Sequence, residues 1–181
     1  MKLKNLIVVA LLLAIGTILH ALVPGFPMKS DFGLVMLFIS LFLFTDLKSF
    51  LIIGLVDGIL AGLTTTMPGG FIPNVVDKLI TSTVVFLVFY LIARHLQPKA
   101  TYIFGVVLAG LGTMLSGTIF LTVAILVAGL NTAAFGGLFV TMVLPTALAN
   151  LLLFAVLYPI IVKIGERSGF LHHTAPRPTT R

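Results

Sequence analysis

The chain of 181 residues contains no cysteine, which excludes a disulfide, a thiolate metal site and a cysteine nucleophile. Acid is almost as scarce. Only 5 residues are Asp or Glu, and the single glutamate, Glu166, lies beyond the last apolar run. Aspartyl chemistry needs two carboxylates in contact, and Asp57 with Asp77 is the one pair that comes into consideration. No His–acid motif suited to metal chemistry occurs. The run Gly112-Thr-Met-Leu-Ser-Gly117-Thr118 approaches the phosphate-binding loop, but it lacks the lysine and lies inside an apolar span instead of following a strand. The chain therefore has no visible means of hydrolysing ATP by itself. An enzyme is not expected, nor is a cofactor or a metal. No internal repeat is visible.

What is present is apolar. Hydrophobic residues make up 59% of the chain and charged residues 9%, far from the roughly 25% charged residues of a soluble domain. A hydrocarbon core of ~30 Å takes ~20 apolar residues per helix. Six candidate spans result, at about 5–23, 32–46, 50–66, 74–93, 101–129 and 136–163. The second is short and the last two are long, which predicts tilt or breaks. Backbone groups in lipid must satisfy one another, and the long apolar runs do not alternate as barrel strands do. The expected fold is all-α: a polytopic membrane protein with a six-transmembrane-helix bundle over residues 1–165. Residues 166–181 form a cytoplasmic tail, expected to be mobile.

The net charge of +6 is a topology signal. Lys2, Lys4, Lys48, Arg94, Lys99, Lys163, Arg167, Arg177 and Arg181 fall at the N-terminus, the second and fourth loops and the C-terminus, while only Lys29 and Lys78 fall on the other side. This asymmetry predicts that both termini are cytoplasmic. No nucleic-acid partner is implied. The N-terminus resembles a signal peptide, but its apolar stretch is too long and no small-x-small cleavage site precedes Pro24, so it is read as the first helix.

Small residues mark helix contacts. Ala10 and Ala14 form a small-xxx-small pair on the first helix, a pattern that lets two backbones approach in lipid. Gly54, Gly58 and Gly62 form a two-step seam on the third, read as internal packing.

The stretch Thr64 to Ile80, T-T-T-M-P-G-G-F-I-P-N-V-V-D-K-L-I, breaks the apolar pattern. Pro73 suits the first position of the fourth helix. Asn74, Asp77, Lys78, Thr81 and Ser82 then fall on one helical stripe, and apolar residues cover the rest of the surface. Such a stripe should face the bundle interior or a wet cavity, with the donors of the helix N-terminus beside it. Pro68, Gly69 and Gly70 give the preceding link freedom to fold over that cavity, and Thr64, Thr65 and Thr66 supply hydroxyls at the end of the third helix. A zwitterion suits the arrangement, with its carboxylate on Lys78 and its ammonium on Asp77. An Asp–Lys pair that satisfies itself at the interface, with Lys78 snorkelling, accounts for the same residues equally well.

Thr113, Ser116 and Gly117 share a face of the fifth helix. Thr146 and Asn150 lie one turn apart on the sixth, after Pro145. Asn150 needs hydrogen-bond partners, from another helix or from a substrate. Asp57 is expensive wherever it sits, and either pairs with a partner or couples to a proton. His20 reads as a boundary residue. Phe71, Phe120, Phe135 and Phe139 are candidates for an aromatic pocket.

These residues carry a resemblance. Ala14-Ile-Gly16 with His20 and Pro24-Gly25, Thr64-Thr65 to Pro68-Gly69-Gly70, Ile72-Pro73-Asn74, Asp77-Lys78, Ser116-Gly117-Thr118, and Pro145 with Asn150 resemble the tryptophan-transport family, TrpP, over about residues 5–163. With Ala10-x-x-x-Ala14, the six spans and the missing ATPase motif, the chain looks like the substrate-binding S component of an energy-coupling factor (ECF) transporter. The resemblance implies a multi-pass protein of the cell membrane that captures tryptophan, or a close aromatic relative, near the outer leaflet. It implies a scaffold membrane subunit gripped through Ala10 and Ala14, and two cytoplasmic ATPases. It carries no residue-level map of the site. Reading the residues themselves, substrate contacts are expected at Asn74, Asp77, Lys78, Thr81, Gly69, Gly70, Ser116 and Asn150. The alternative is a stand-alone proton-coupled secondary transporter of a small amphipathic solute that uses Asp57.

Overall fold

The computed structural model describes residues 3–22, 31–44 and 49–169, and among these every regular element is helical. The helices are α1 (Leu3–Leu22), α2 (Phe32–Leu43), α3 (Ser49–Leu63), α4 (Phe71–Ala93), α5 (Pro98–Ala128), α6 (Ala134–Leu138) and α7 (Leu144–Arg167). A π-helical turn, Phe139–Val143, joins α6 to α7. Pro24, Gly25, Lys29, Lys48 and the tail beyond 169 lie outside the described residues. α1, α4, α5 and the α6–α7 segment are long and apolar enough to cross a membrane, whereas α2 and α3 are shorter apolar helices.

α2 is the central stave. Residues Gly33 to Phe42 are all buried, as expected of a helix that is hydrophobic all round. It packs on α1, α3, α4, α5 and α7. Its 12 residues cover only ~18 Å at ~1.5 Å per residue, less than a full hydrocarbon core. α3 lies along α4, α4 along α5, and α5 along α7.

The glycine seam of α3 is the contact with α4. A side chain at Gly54 would collide with Ser82, one at Gly58 would stand 3.0 Å from Val75 Cα, and one at Gly62 would reach 2.7 Å from the Phe71 ring. The seam is internal packing, as the sequence indicated.

Several boundaries differ from the sequence reading. α3 ends at Leu63, so Thr64–Thr66 belong to the link; the Thr64 hydroxyl still bonds back to Leu60 O at 2.8 Å. α4 begins at Phe71, with Gly70 as its N-cap, which places Pro73 at the third helical position instead of the first. Its missing N–H remains harmless there, because the first four helical N–H groups have no intrahelical acceptor. The long fifth span is unbroken, and Gly129 ends it in the left-handed conformation with φ 70°. Its 31 residues measure ~46 Å, longer than the apolar slab, so it tilts or protrudes. The sixth span does not stop either, but it carries a π-helical turn, Phe139–Val143, just before Pro145. α7 then runs to Arg167, two residues past the expected end of the bundle at 165.

The core has two layers. In one half of the bundle, rings stack: Phe42 on Phe89 at 3.9 Å, Phe50 on Phe86 at 4.5 Å, and Phe154 on Tyr158 at 5.1 Å. In the other half the interior is polar. Phe38 and Val85 lie between, both against Gly112, where an added Cβ would stand 2.8 and 2.9 Å from them.

Candidate functional site

The polar half is built from α4 outward. Asp77, Lys78, Thr81 and Ser82 are all buried, so the stripe turns inward as its spacing required. Lys78 does not snorkel; its side chain is 2% exposed. Its ammonium donates to Asp31 Oδ2 at 2.9 Å and to Ser116 Oγ at 3.4 Å, and it lies 3.3 Å from Asp77 Oδ2. Asp77 is held on both oxygens. Thr81 Oγ1 donates to Oδ1 at 2.9 Å and Ser116 Oγ donates to Oδ2 at 2.7 Å. A buried charge persists only when paired and hydrogen-bonded, and Lys78 and Asp77 meet both conditions.

Asp31 was not singled out in the sequence, yet it is the nearest carboxylate to Lys78. It also caps α2: its Oδ1 accepts from Leu34 N at 3.0 Å, the N-cap geometry that satisfies an orphan donor of the first turn. Asn150 of α7 anchors it from behind. Asn150 Oδ1 accepts from Asp31 N at 3.0 Å, and its Nδ2 donates to Thr113 Oγ1 at 3.2 Å. His20 Nδ1 of α1 lies 3.7 Å from Asp31 Oδ1, so His20 belongs to the cluster's rim. The signal for Asp31 was present: an Asp directly before an apolar run is an N-cap. The pairing of Asp57 with Asp77 alone therefore considered too few carboxylates. Asp31 and Asp77 are the two that meet, and they meet through Lys78.

Asp57 of α3 is 1% exposed and lies among the same charges. Its Oδ2 has no hydrogen-bond partner among the described residues.

The remaining expected residues lie near the entrance to α4. Asn74 is half-buried and donates from Nδ2 to Gly70 O at 2.8 Å. Gly69 turns the link with φ 73°, and Gly70 is buried, with an added Cβ only 2.8 Å from Thr65 Oγ1. The structure thus joins Asp77, Lys78, Thr81, Ser116 and Asn150 in one network and leaves Asn74, Gly69 and Gly70 beside it. Three of the four aromatic candidates show no contact with it among the described residues. Phe71 is exposed, and Phe135 and Phe139 stack on each other at 6.2 Å. The two best-formed grooves among the described residues are apolar, and their linings include none of these polar groups.

Ala10 and Ala14 are exposed on α1, whose opposite face (Val9, Leu12, Leu13 and Gly16) is buried. Ala10 also lines a groove of about 70 Å³ with Leu6, Val9 and Leu13 and with Ile52, Ile53 and Val56 of α3.

Comparison with known proteins places this architecture. The family of the tryptophan transporter TrpP matches residues 2–165. The chain belongs to the TrpP family. A probable tryptophan transport protein of Bacillus subtilis is 40% identical over 173 residues, covering 94% of this chain and 98% of that protein. Proteins described in the same words from Clostridium acetobutylicum and Clostridium perfringens are 38% and 42% identical, covering 70% and 67% of this chain and 73% and 71% of their own. No solved structure matches it. The family span contains every residue of the Lys78 cluster, and the relatives are described as transport proteins, in line with a non-enzymatic membrane protein.

Proposed function

We propose that the chain is the capture subunit for tryptophan, or a close aromatic amino acid, at the cell membrane. It binds substrate near the outer face and delivers it inward through an ECF scaffold subunit and two cytoplasmic ATPases. The observation that carries this reading is the buried Lys78 cluster within a TrpP chain. An ammonium held by carboxylates from two helices is expensive in a membrane bundle and marks a function. The basic residues Lys4, Arg94, Lys99, Lys163 and Arg167 sit where α1 begins, α4 meets α5 and α7 ends. That pattern supports cytoplasmic termini, with the polar half facing outward.

Lys78 receives the substrate carboxylate. The cluster is closed, so one of its two carboxylate partners must yield. Exposure decides which: the Asp31 side chain is 25% exposed and that of Asp77 is 2% exposed. Asp31 gives way, and Asp77, Thr81 and Ser116 keep the ammonium aimed. Asn74, Gly69 and Gly70 border the approach from the α3–α4 link, and Asn150 braces the opposite side. The exposed Ala10 and Ala14 face, with its shallow groove, suits the scaffold subunit.

Calorimetry on the purified protein without ATP tests the reading: saturable heat with L-tryptophan is expected, and its absence overturns the assignment. Uptake by the chain alone in proteoliposomes, driven by a pH gradient, would replace it with a proton-coupled carrier using Asp57.

A further inference from the structure

Asp57 is the buried charge that the cluster leaves unused. Buried polar atoms are nearly always hydrogen-bonded, and an exception calls for an explanation. Asp57 Oδ2 is such an exception among the described residues. Asp77 is the opposite case, since both its oxygens already accept from hydroxyls. The expected ammonium acceptor is thus occupied, whereas Asp57 keeps one oxygen without a donor.

Asp57 and Asp31 come together beside the first turn of α2. Gly33, on the first turn of α2, lacks the side chain that would separate two acids. A Cβ there would stand 3.3 Å from Asp31 Oδ1 and 3.5 Å from Asp57 Oδ1. Lys78, Asp31 and Asp77 all act electrostatically on Asp57, and His20 Nδ1 lies 3.7 Å from Asp31 Oδ1. Ionised carboxylates only accept hydrogen bonds, and a donor carrying positive charge is their strongest partner.

We infer that Asp31 and Asp57, the two acids that flank Gly33, together accept the ammonium group of the substrate. The inference rests on the capture of an amino acid proposed above, and it completes an exchange of partners. Before binding, Asp31 holds Lys78. On binding, the substrate carboxylate takes Lys78, and Asp31 turns with Asp57 to the substrate ammonium. Lys78, Asp31 and Asp77 keep a partner throughout, and Asp57 gains one on binding. No bond is made or broken and no proton moves.

The test uses the purified full chain with three probes: L-tryptophan, indole-3-propionate, which lacks the ammonium, and tryptamine, which lacks the carboxylate. In wild type, tryptophan binds more tightly than either analogue. Asp57→Asn weakens tryptophan and tryptamine by ~10–100-fold, the range of a charged hydrogen bond, and leaves indole-3-propionate unchanged. Gly33→Ala, a smaller perturbation, shifts the same two ligands in the same direction and carries the test if D57N does not fold. Equal weakening of all three probes assigns Asp57 a structural role and overturns the inference, as does unaltered tryptophan binding in D57N. Titration in sodium chloride against choline chloride separates a free cation from the substrate ammonium. Sodium-dependent tryptophan affinity that D57N abolishes would also overturn the inference. If wild type binds tryptophan and these results follow, only the ammonium seat is lost. If wild type binds none of the probes, the capture reading fails with it.

Discussion

Replacing Lys78 with methionine keeps the stem and removes the ammonium, which separates a substrate anchor from a self-sufficient ion pair. The structure sets the size of the effect. Asp77 loses its cationic neighbour but keeps the donors Thr81 and Ser116. Asp31 keeps the Leu34 N–H, and its side chain is 25% exposed, so solvent screens part of its charge. Breaking a fully buried pair costs about 3–5 kcal/mol. The retained donors and the exposure of Asp31 place K78M near the lower end, at about 3 kcal/mol of lost stability. At ~2–4 °C per kcal/mol for a chain of this size, the melting temperature should fall by ~6–12 °C. Adding Asp77→Asn removes the stranded carboxylate, and the double variant should regain more than half of that loss. Binding should not return with it. The lost contact to the substrate carboxylate leaves tryptophan ~10–100-fold weaker in both variants. Helical circular dichroism follows the melt. Binding is read from the ligand's indole emission, against a chain that contains no tryptophan. A double variant that binds like wild type would refute the anchor, and a K78M melt within ~2 °C of wild type would refute the strength assigned to the pair.

The other predictions concern the supports of that centre. Asn150→Ala removes the acceptor of Asp31 N and a donor to Thr113; about 1–2 kcal/mol of stability should be lost, measurable as a lower melting temperature with weaker tryptophan binding, and an unchanged melt would contradict the bracing role. Gly58→Leu drives a side chain against Val75 of α4 and should cost at least about 1–3 kcal/mol by overpacking, whereas Leu at the open Gly136 should leave the melt in place. Ala10→Trp enlarges an exposed position on α1, so co-purification with the scaffold should be lost while the chain alone keeps its melt and its tryptophan affinity; an intact complex would remove the assignment of this face.

The parts of the molecule that follow from periodicity were legible in the sequence. The apolar runs gave the helices, the i, i+3, i+4, i+7 spacing gave the inward face of α4, and the Gly54–Gly58–Gly62 spacing gave the α3–α4 contact. Helix ends were less legible, because their stopping points depend on local backbone partners. Pro73 is compatible with any place in the first turn, so it did not fix the start of α4 at Phe71. The π-helical turn left no mark beyond the excess length of the last span. The largest omission was Asp31. Its carboxylate lies 47 positions from Lys78 in the chain, and no spacing rule spans such a separation. Its local role as the cap of α2 was readable, but its role at Lys78 required the packing of α2 at the centre of the bundle. The aromatic residues illustrate the converse. With 15 phenylalanines, composition could not say which would stack in the core and which would face outward.

The glycine seam and the charged stripe, which read as separate features along the chain, act as one in the fold. Asp57 falls three residues after Gly54, so the seam and the acid lie on neighbouring parts of one side of α3. A Cβ at Gly54 would strike Ser82, and one at Gly58 would stand 3.3 Å from Lys78 Cβ. Close approach of α3 to α4 is therefore the condition under which Asp57 enters the field of Lys78. Larger residues at the seam would hold α3 away, withdraw Asp57 from Gly33 and leave the Lys78–Asp31 pair with no second acid to accept a substrate ammonium. If this coupling holds, Gly54→Ala should reproduce the ligand selectivity of Asp57→Asn, weakening tryptophan and tryptamine while sparing indole-3-propionate, although it alters no charged or hydrogen-bonding side chain. Equal weakening of all three ligands would show instead that the seam serves packing alone.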